Sequence, residues 1–329
     1  MFGLLGDVLI RTPVLKALRK IYPKSRIIAF VDPIGSLVLK NNQDCDEIVV
    51  VNRQKNNRLL YLFEKIKSLY ILRKTASDLL IDLYDGGSSY GMARLSNAKY
   101  KLGYRESKKS FIYNIEHLDE TQSNASLYEK TINVLKPLSR EKFDLKPAYD
   151  ILEESRESVS KYISDENIDL QKSYILNFGS GGVEKIMEFE KYLYLVEYIY
   201  EKYGYAPMIV SNPGQEYLQT DFIRDFLASS KAPYVKLPTF SLDEIASLIS
   251  KSKFLVTPDT GLMHIAMAFN NYIYAIFTYT NPSLIDIGDE KLIAVYESFD
   301  NGVLYKKQNI SKDQLQERID FLLKKLSDV

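Results

Sequence analysis

Short apolar runs alternate with segments of helical period along the whole chain, and this alternation restricts the fold more than any other feature. In the first half, Arg26–Val31 (RIIAFV), Glu47–Val51 (EIVVV), Asp78–Leu83 (DLLIDL) and Tyr100–Tyr104 (YKLGY) read as strands. Asp7–Tyr22 carries Val14, Leu15, Leu18 and Ile21 at the spacing of one helical face. Pro13 is tolerated only near a helix start, so the first turn there is expected to be irregular. The second half repeats the pattern. Tyr174–Phe178, Pro207–Ser211, Phe254–Val256 and Tyr272–Phe277 read as strands. Phe189–Tyr203, Leu242–Ile249 after an N-cap Ser241, Leu262–Phe269 and Ser311–Leu326 read as helices. Strands separated by helices imply parallel βαβ units, hence an α/β protein with doubly wound sheets. At about 100–200 residues per domain, 329 residues predict two domains. The charged stretch Lys146–Lys172 is the junction, dividing residues 1–150 from residues 151–329. Only Met1-Phe2 precede Gly3-Leu4-Leu5-Gly6-Asp7, so either the start codon is assigned too late or the first sheet lacks a strand there. Ligands of such sheets sit beyond the carboxyl ends of strands, against helix N-termini, so the site is expected in a cleft between the domains.

Composition removes several classes. A single cysteine, Cys45, excludes an internal disulfide and a cysteine-based zinc site, and two histidines, His117 and His264, are too few for a His-rich metal centre. Asp44-Cys45-Asp46 matches the D-x-D pattern of metal-dependent sugar transferases. It precedes a strand with no other ligand cluster beside it and reads as a turn, so no metal site is expected. No apolar run approaches the roughly 18 residues of a membrane span, and no basic segment precedes the first apolar stretch; a cytoplasmic location is expected. Lys+Arg and Asp+Glu both total 43, which argues against a nucleic-acid partner. The balance hides an asymmetry: residues 1–150 hold 25 basic and 17 acidic side chains, residues 151–329 hold 18 and 26. A basic half suggests that this domain meets an anionic partner.

Three segments carry chemistry. Gly3-Leu4-Leu5-Gly6-Asp7 turns the backbone tightly into a helix, and Asp7 at that start is either an N-cap or a general base. Gly179-Ser180-Gly181-Gly182, with Lys185 three residues on, offers amides and a point charge to a phosphate; it lacks the P-loop spacing and is otherwise a flexible loop. Val256–His264 ends a strand, turns at Pro258-Asp259, and opens an apolar helix near Thr260-Gly261, whose free amides and macrodipole attract an anion. His264 is then either a ligand contact or a satisfied core side chain.

Together these segments resemble glycosyltransferase family 9, the ADP-heptose:lipopolysaccharide heptosyltransferases. The matching residues are Gly6-Asp7-Val8-Leu9, Thr12-Pro13, Ala17-Leu18-Arg19 and Tyr22-Pro23 in the first half, and the complete Asp259-Thr260-Gly261-Leu262-Met263-His264 in the second. Asp82, Gly103 and Tyr104 fit the middle of the first domain. The resemblance implies a GT-B fold, two Rossmann-like domains facing a cleft, and an inverting, metal-independent transfer from a nucleotide sugar, ADP-heptose, with no cofactor. It assigns Asp7 as base and Lys185 to the donor phosphates. Asp259, Thr260, Gly261, Leu262 and His264 belong to the diphosphate and sugar site, with Gly179 and Ser180 beside it. Gln215 or Glu216 would lie near the ribose and Phe240 near the base. The family's Gly-Pro-Thr-Asp-Pro loop reads here as Thr278-Tyr279-Thr280-Asn281-Pro282.

The segment Arg53–Lys74 holds seven basic residues, among them Arg53, Arg58, Lys65 and Lys67, against one acid, Glu64. Leu59, Leu62, Phe63, Ile66, Leu69 and Tyr70 fall on one helical face and are expected to pack. The basic side is either merely solvated or an acceptor clamp for an anionic lipid-linked saccharide at a peripheral membrane surface. Two rival functions are a nucleotide-sugar 2-epimerase, which needs further acid–base carboxylates, and a non-catalytic nucleotide-sugar binder.

Overall fold

The structure is a computed structural model that describes residues 1–329 except 53–57, 105–106, 117–124, 211–213, 301 and 329, with only the backbone described for 58–61. The chain forms two compact units, Met1–Asp150 and Ile151–Val329.

Unit 1 runs α1 (Leu5–Leu9), α2 (Thr12–Ile21), β1 (Ile28–Val31), α3 (Pro33–Leu39), β2 (Glu47–Val50), α4 (Arg58–Lys74), β3 (Leu79–Ile81), α5 (Gly87–Leu95), β4 (Tyr100–Leu102) and α6 (Leu127–Asn133). Its strands form two separate parallel pairs, β1 with β2 and β3 with β4. A cavity of about 850 Å³ lies against both β1 and β3. The single helix expected over Asp7–Tyr22 is instead two helices. It starts earlier, at Leu5, and breaks at Ile10-Arg11 because Pro13 has no N–H to continue the ladder. Thr12 seals the break: its hydroxyl donates to the Leu9 carbonyl at 2.7 Å and accepts from the Ala148 amide at 2.8 Å.

The packing expected of α4 is corrected. Leu62, Phe63, Ile66 and Tyr70 are 54%, 62%, 60% and 65% exposed, while Ser68 and Leu72 on the other side are buried. Helical spacing shows that these residues share a face, but not which face the fold covers.

Unit 2 runs α7 (Glu153–Asp165), β5 (Ser173–Leu176), α8 (Phe189–Tyr203), β6 (Ala206–Ile209), α9 (Glu216–Asp225), β7 (Val235–Lys236), α10 (Leu242–Lys251), β8 (Phe254–Pro258), α11 (Gly261–Ala268), β9 (Tyr272–Ile276), β10 (Leu292–Val295) and α12 (Lys312–Ser327). All six strands are parallel, in the order β10-β9-β8-β5-β6-β7. β5 and β8 are buried at every position, which is why their sequences lack the alternation of a half-exposed strand. Helices α8 and α12 cover one core: Leu195, Val196 and Ile199 meet Leu315, Ile319 and Leu322. Full burial of each such side chain contributes about 1.5–3 kcal/mol. Outside it, Asp320 ties the two helices by accepting from the Tyr198, Tyr203 and Lys202 side chains at 2.7–2.9 Å. Helices α3, α5, α6 and α9 and edge strands β7 and β10 were not evident in the sequence; all are short or weakly patterned.

Candidate functional site

In unit 2 the strand order reverses between β5 and β8, the switch point at which open α/β sheets form a crevice. The loops leaving the carboxyl ends of β5, β6, β8 and β9 meet there. Asn177, the residue after β5, is fully buried. Its side-chain amide donates to Thr257 Oγ1 at 2.9 Å, and its Oδ1 accepts from the Gly179 amide at 3.1 Å. Gln215 binds Ser180 twice, accepting from its amide at 3.1 Å and donating to its carbonyl at 2.8 Å. The hydroxyl of Thr278, after β9, donates to the Glu184 carbonyl at 2.8 Å. The glycine turn is therefore held from three sides. Asn177→Leu strands the Gly179 amide and takes one partner from the Thr257 hydroxyl, which keeps the Pro258 carbonyl at 3.0 Å, and is expected to cost about 1–3 kcal/mol of stability. Chemical denaturation checks this; an unchanged midpoint would contradict it.

Lys185 lies in the one-turn segment Val183–Lys185 that closes the glycine turn. Its Nζ is 2.6 Å from Asp259 Oδ2, and both side chains are largely covered, at 28% and 10% exposure. Thr260 is the N-cap of α11 but makes no side-chain cap bond. Its hydroxyl lies 3.2 Å from Thr257 Oγ1, turned toward the buried polar cluster. The amides of Gly261 and Leu262 find no acceptor among the described residues. An ammonium, two helix-start amides and a glycine turn thus converge, the arrangement that binds a phosphate.

In unit 1, Asp7 is the third residue of α1, not its N-cap, and accepts from the Leu4 amide through Oδ2 at 2.8 Å. Its remaining oxygen takes no described hydrogen bond. Gly3 has φ +132° and no room for a side chain, since a Cβ there would stand 2.5 Å from Asp7 Oδ2. The Gly3 amide donates to Asp32 Oδ2 at 3.0 Å, while Asp32 Oδ1 caps α3 at Gly35. Arg11 Nη1 donates to the carbonyls of Phe2 and Asp7, both at 2.7 Å, closing the loop beneath the carboxylate.

Asp82, buried just after β3, accepts from the Tyr113 hydroxyl at 2.8 Å. Burial, then the Asp82 and Asp85 carboxylates, push the Tyr113 phenol up, so it stays a proton donor. Gly103 is required beneath that ring: a Cβ would meet it at 2.4 Å. The Tyr104 hydroxyl donates to the Leu83 carbonyl at 3.2 Å.

The fold gathers Gly179, Ser180, Lys185, Asp259, Thr260, Gly261 and Leu262 into one site and adds Asn177, Gln215, Thr257 and Thr278. Asn177 was signalled by a polar residue ending an otherwise apolar strand. Glu216 opens α9 next to Gln215. His264 is buried within α11. Phe240 is buried edge-on against Tyr162, ring centroids 5.2 Å apart. Lys65 and Lys67 are exposed on α4; Arg53 lies outside the described residues, as does the side chain of Arg58. Asp46 of the D-x-D pattern serves the turn, accepting from the Ile27 amide at 2.6 Å and from Arg19 at 2.7 Å. Among the described residues, no group of three or more His, Cys, Asp or Glu side chains could hold a metal ion.

The chain is similar to known proteins in sequence and in fold. The sequence model of glycosyltransferase family 9 (heptosyltransferase) matches residues 67–313. Lipopolysaccharide heptosyltransferase 3 of Escherichia coli is 22% identical over 84% of this chain and 81% of its own. The glycosyl transferase family 9 structure from Veillonella parvula superposes with a TM-score of 0.82 at 21% identity, over 99% of this chain and 96% of that one. The E. coli ADP-heptose LPS heptosyltransferase II superposes at 0.77 with 16% identity, over 98% of each chain. The fold is GT-B, and the family match spans the phosphate-type site from glycine turn to α11: the chain is a glycosyltransferase and belongs to glycosyltransferase family 9.

Proposed function

We propose that this chain moves a heptose-type sugar from ADP-heptose to a lipopolysaccharide core acceptor, with inversion and without a metal. The observation that carries the reading is the convergence of Lys185, the Gly179–Gly182 turn and the α11 start at the β5/β8 switch point. Asp7 takes the proton of the acceptor hydroxyl as its oxygen attacks the anomeric carbon. The bond to the diphosphate breaks on the opposite face. Charge developing on the leaving diphosphate meets the Lys185 ammonium and the amides of Gly261 and Leu262, where a metal-dependent enzyme would use a divalent cation. Glu216 and Phe240 are the donor-side contacts proposed for ribose and base. The test is transfer from ADP-heptose to a deacylated core oligosaccharide in EDTA, with the anomeric configuration of the product read by NMR. Retention of configuration, or a strict need for Mg²⁺ or Mn²⁺, would overturn the mechanism.

The same reading places the acceptor at an anionic membrane surface. Among the described residues no helix is long and apolar enough to cross a membrane. On α4, however, Leu62, Phe63, Ile66 and Tyr70 stand in solvent beside the exposed Lys65 and Lys67. Apolar side chains flanked by lysines suit a helix lying in the headgroup region, each basic residue adding about 1 kcal/mol near an anionic leaflet. Replacing Arg58, Lys65 and Lys67 together by Gln is expected to raise acceptor KM and reduce sedimentation with anionic vesicles, leaving ADP affinity unchanged. High salt should mimic the variant, because the Debye length falls from about 10 Å at 0.1 M to about 3 Å at 1 M. Normal acceptor use by the variant at low salt would remove α4 from acceptor capture.

A further inference from the structure

Asp85, four residues past the end of β3, is held in the left-handed region at φ +54°. A residue with a side chain keeps that conformation only where its surroundings impose it. Asp82 imposes it from one side: its Oδ1 accepts from the amides of Tyr84 and Asp85 at 2.9 and 3.3 Å and folds the chain back. Tyr90, in the first turn of α5, imposes it from the other. Its hydroxyl lies 3.0 Å from the Asp85 carbonyl and 3.1 Å from Asp85 Oδ1. Desolvation above all pushes the Tyr90 phenol up, and the Asp85 carboxylate adds to this, so the phenol keeps its proton as a donor. Asp85 is half-exposed, and its Oδ2 takes no hydrogen bond among the described residues. One oxygen is fixed by the protein and the other is open.

This carboxylate is joined to the loop of Asp7. The Phe2 ring meets the Tyr84 ring edge-on, centroids 5.6 Å apart, and Arg11 binds the carbonyls of Phe2 and Asp7 together. Gly86 lets the Tyr84 ring lie there, since a Cβ at Gly86 would run into it. What a carboxylate does beside the base follows from its chemistry. It accepts hydrogen bonds and donates none, so it takes sugar hydroxyls. To a phosphate or another carboxylate it offers only like charge, which excludes a partner more sharply than a missing contact does.

We propose that Asp85 is a specificity residue of the transfer. It accepts from hydroxyls that neighbour the one Asp7 deprotonates, so the sugar that receives the new bond is neutral, and the acceptor's phosphates and acidic sugars lie away from this position. The proposal rests on the reading of Asp7 as the acceptor's base and goes beyond it in naming the acceptor unit.

Two deacylated core oligosaccharides test it, one ending in a neutral sugar and one in a sugar carboxylic acid. Each is titrated by calorimetry into the protein with ADP bound, and each is offered with ADP-heptose. The parent chain should bind and use the neutral-ended one about tenfold better or more. Asp85→Gly suits φ +54° and removes the carboxylate. It should raise KM and Kd for the neutral-ended oligosaccharide about tenfold or more and leave ADP affinity at the parent value. Asp85→Asn also tolerates that backbone angle and removes only the charge, and it should narrow the preference for the neutral end about tenfold. Equal affinity of the parent for the two oligosaccharides, or parental KM and Kd in Asp85→Gly, would overturn the proposal. A parent that binds neither oligosaccharide would overturn it together with the acceptor reading. A parent that binds the neutral-ended one without transfer from ADP-heptose overturns the donor reading alone, because a weaker Kd in Asp85→Gly still supports the contact.

Discussion

Asp7→Asn is expected to lower the transfer rate by at least about 10²-fold, the lower end of what a positioned general base contributes, while nucleotide affinity stays as it was. The substitution isolates proton transfer from structure. Asn keeps a side-chain oxygen that can accept from the Leu4 amide, as Asp7 Oδ2 does at 2.8 Å. The loop beneath it is held by Arg11 through backbone carbonyls, which the change does not touch. What Asn lacks is a site for the acceptor's proton. Asp7→Ala also removes the hydrogen bond to the Leu4 amide and should add a stability loss of about 0.5–1.5 kcal/mol. Calorimetry with ADP, thermal unfolding and a mass-spectrometric transfer assay separate the effects. Turnover near the parent rate in Asp7→Asn would take Asp7 out of the chemistry.

The second large effect is expected at Lys185. Losing a charged hydrogen bond costs about 1.5–3 kcal/mol, so Lys185→Ala should weaken ADP binding roughly tenfold to 150-fold. The ion pair with Asp259 makes a sharper test possible. In the free protein the ammonium lies 2.6 Å from that carboxylate, so an incoming phosphate must share or displace it. Lys185→Ala leaves the Asp259 carboxylate, only 10% exposed, unpaired beside the phosphate position. Adding Asp259→Asn to Lys185→Ala removes that repulsion and should recover part of the lost affinity. A double variant that binds ADP no better than Lys185→Ala would show that the carboxylate does not face the phosphate.

Some of this was legible locally. The Asp259–His264 segment reads as strand, turn and helix start because each step depends on neighbours in sequence, and the structure has β8 and α11 there. The glycine turn after β5 and the Gly3–Asp7 turn are legible for the same reason. Asp7 was misplaced by a few positions because α1 begins at Leu5, and a Leu4 N-cap without a capping side chain leaves no signal. The face of α4 was misread for a different reason. Periodicity groups Leu62, Phe63, Ile66 and Tyr70, but burial depends on which neighbours arrive, and Ser68 and Leu72 were covered instead.

The sequence alone determined the alternation of elements, the glycine turns and the helix start at Thr260-Gly261, since backbone conformation at these points follows from side chains a few residues away. Only the tertiary structure decided which polar groups meet. Lys185 reaches Asp259 across 74 positions, Asn177 reaches Thr257 across 80, and Gln215 reaches Ser180 across 35. Those pairings depend on strand order, which sets β5 beside β8 and β6, and strand order is fixed by how whole elements pack rather than by any local pattern.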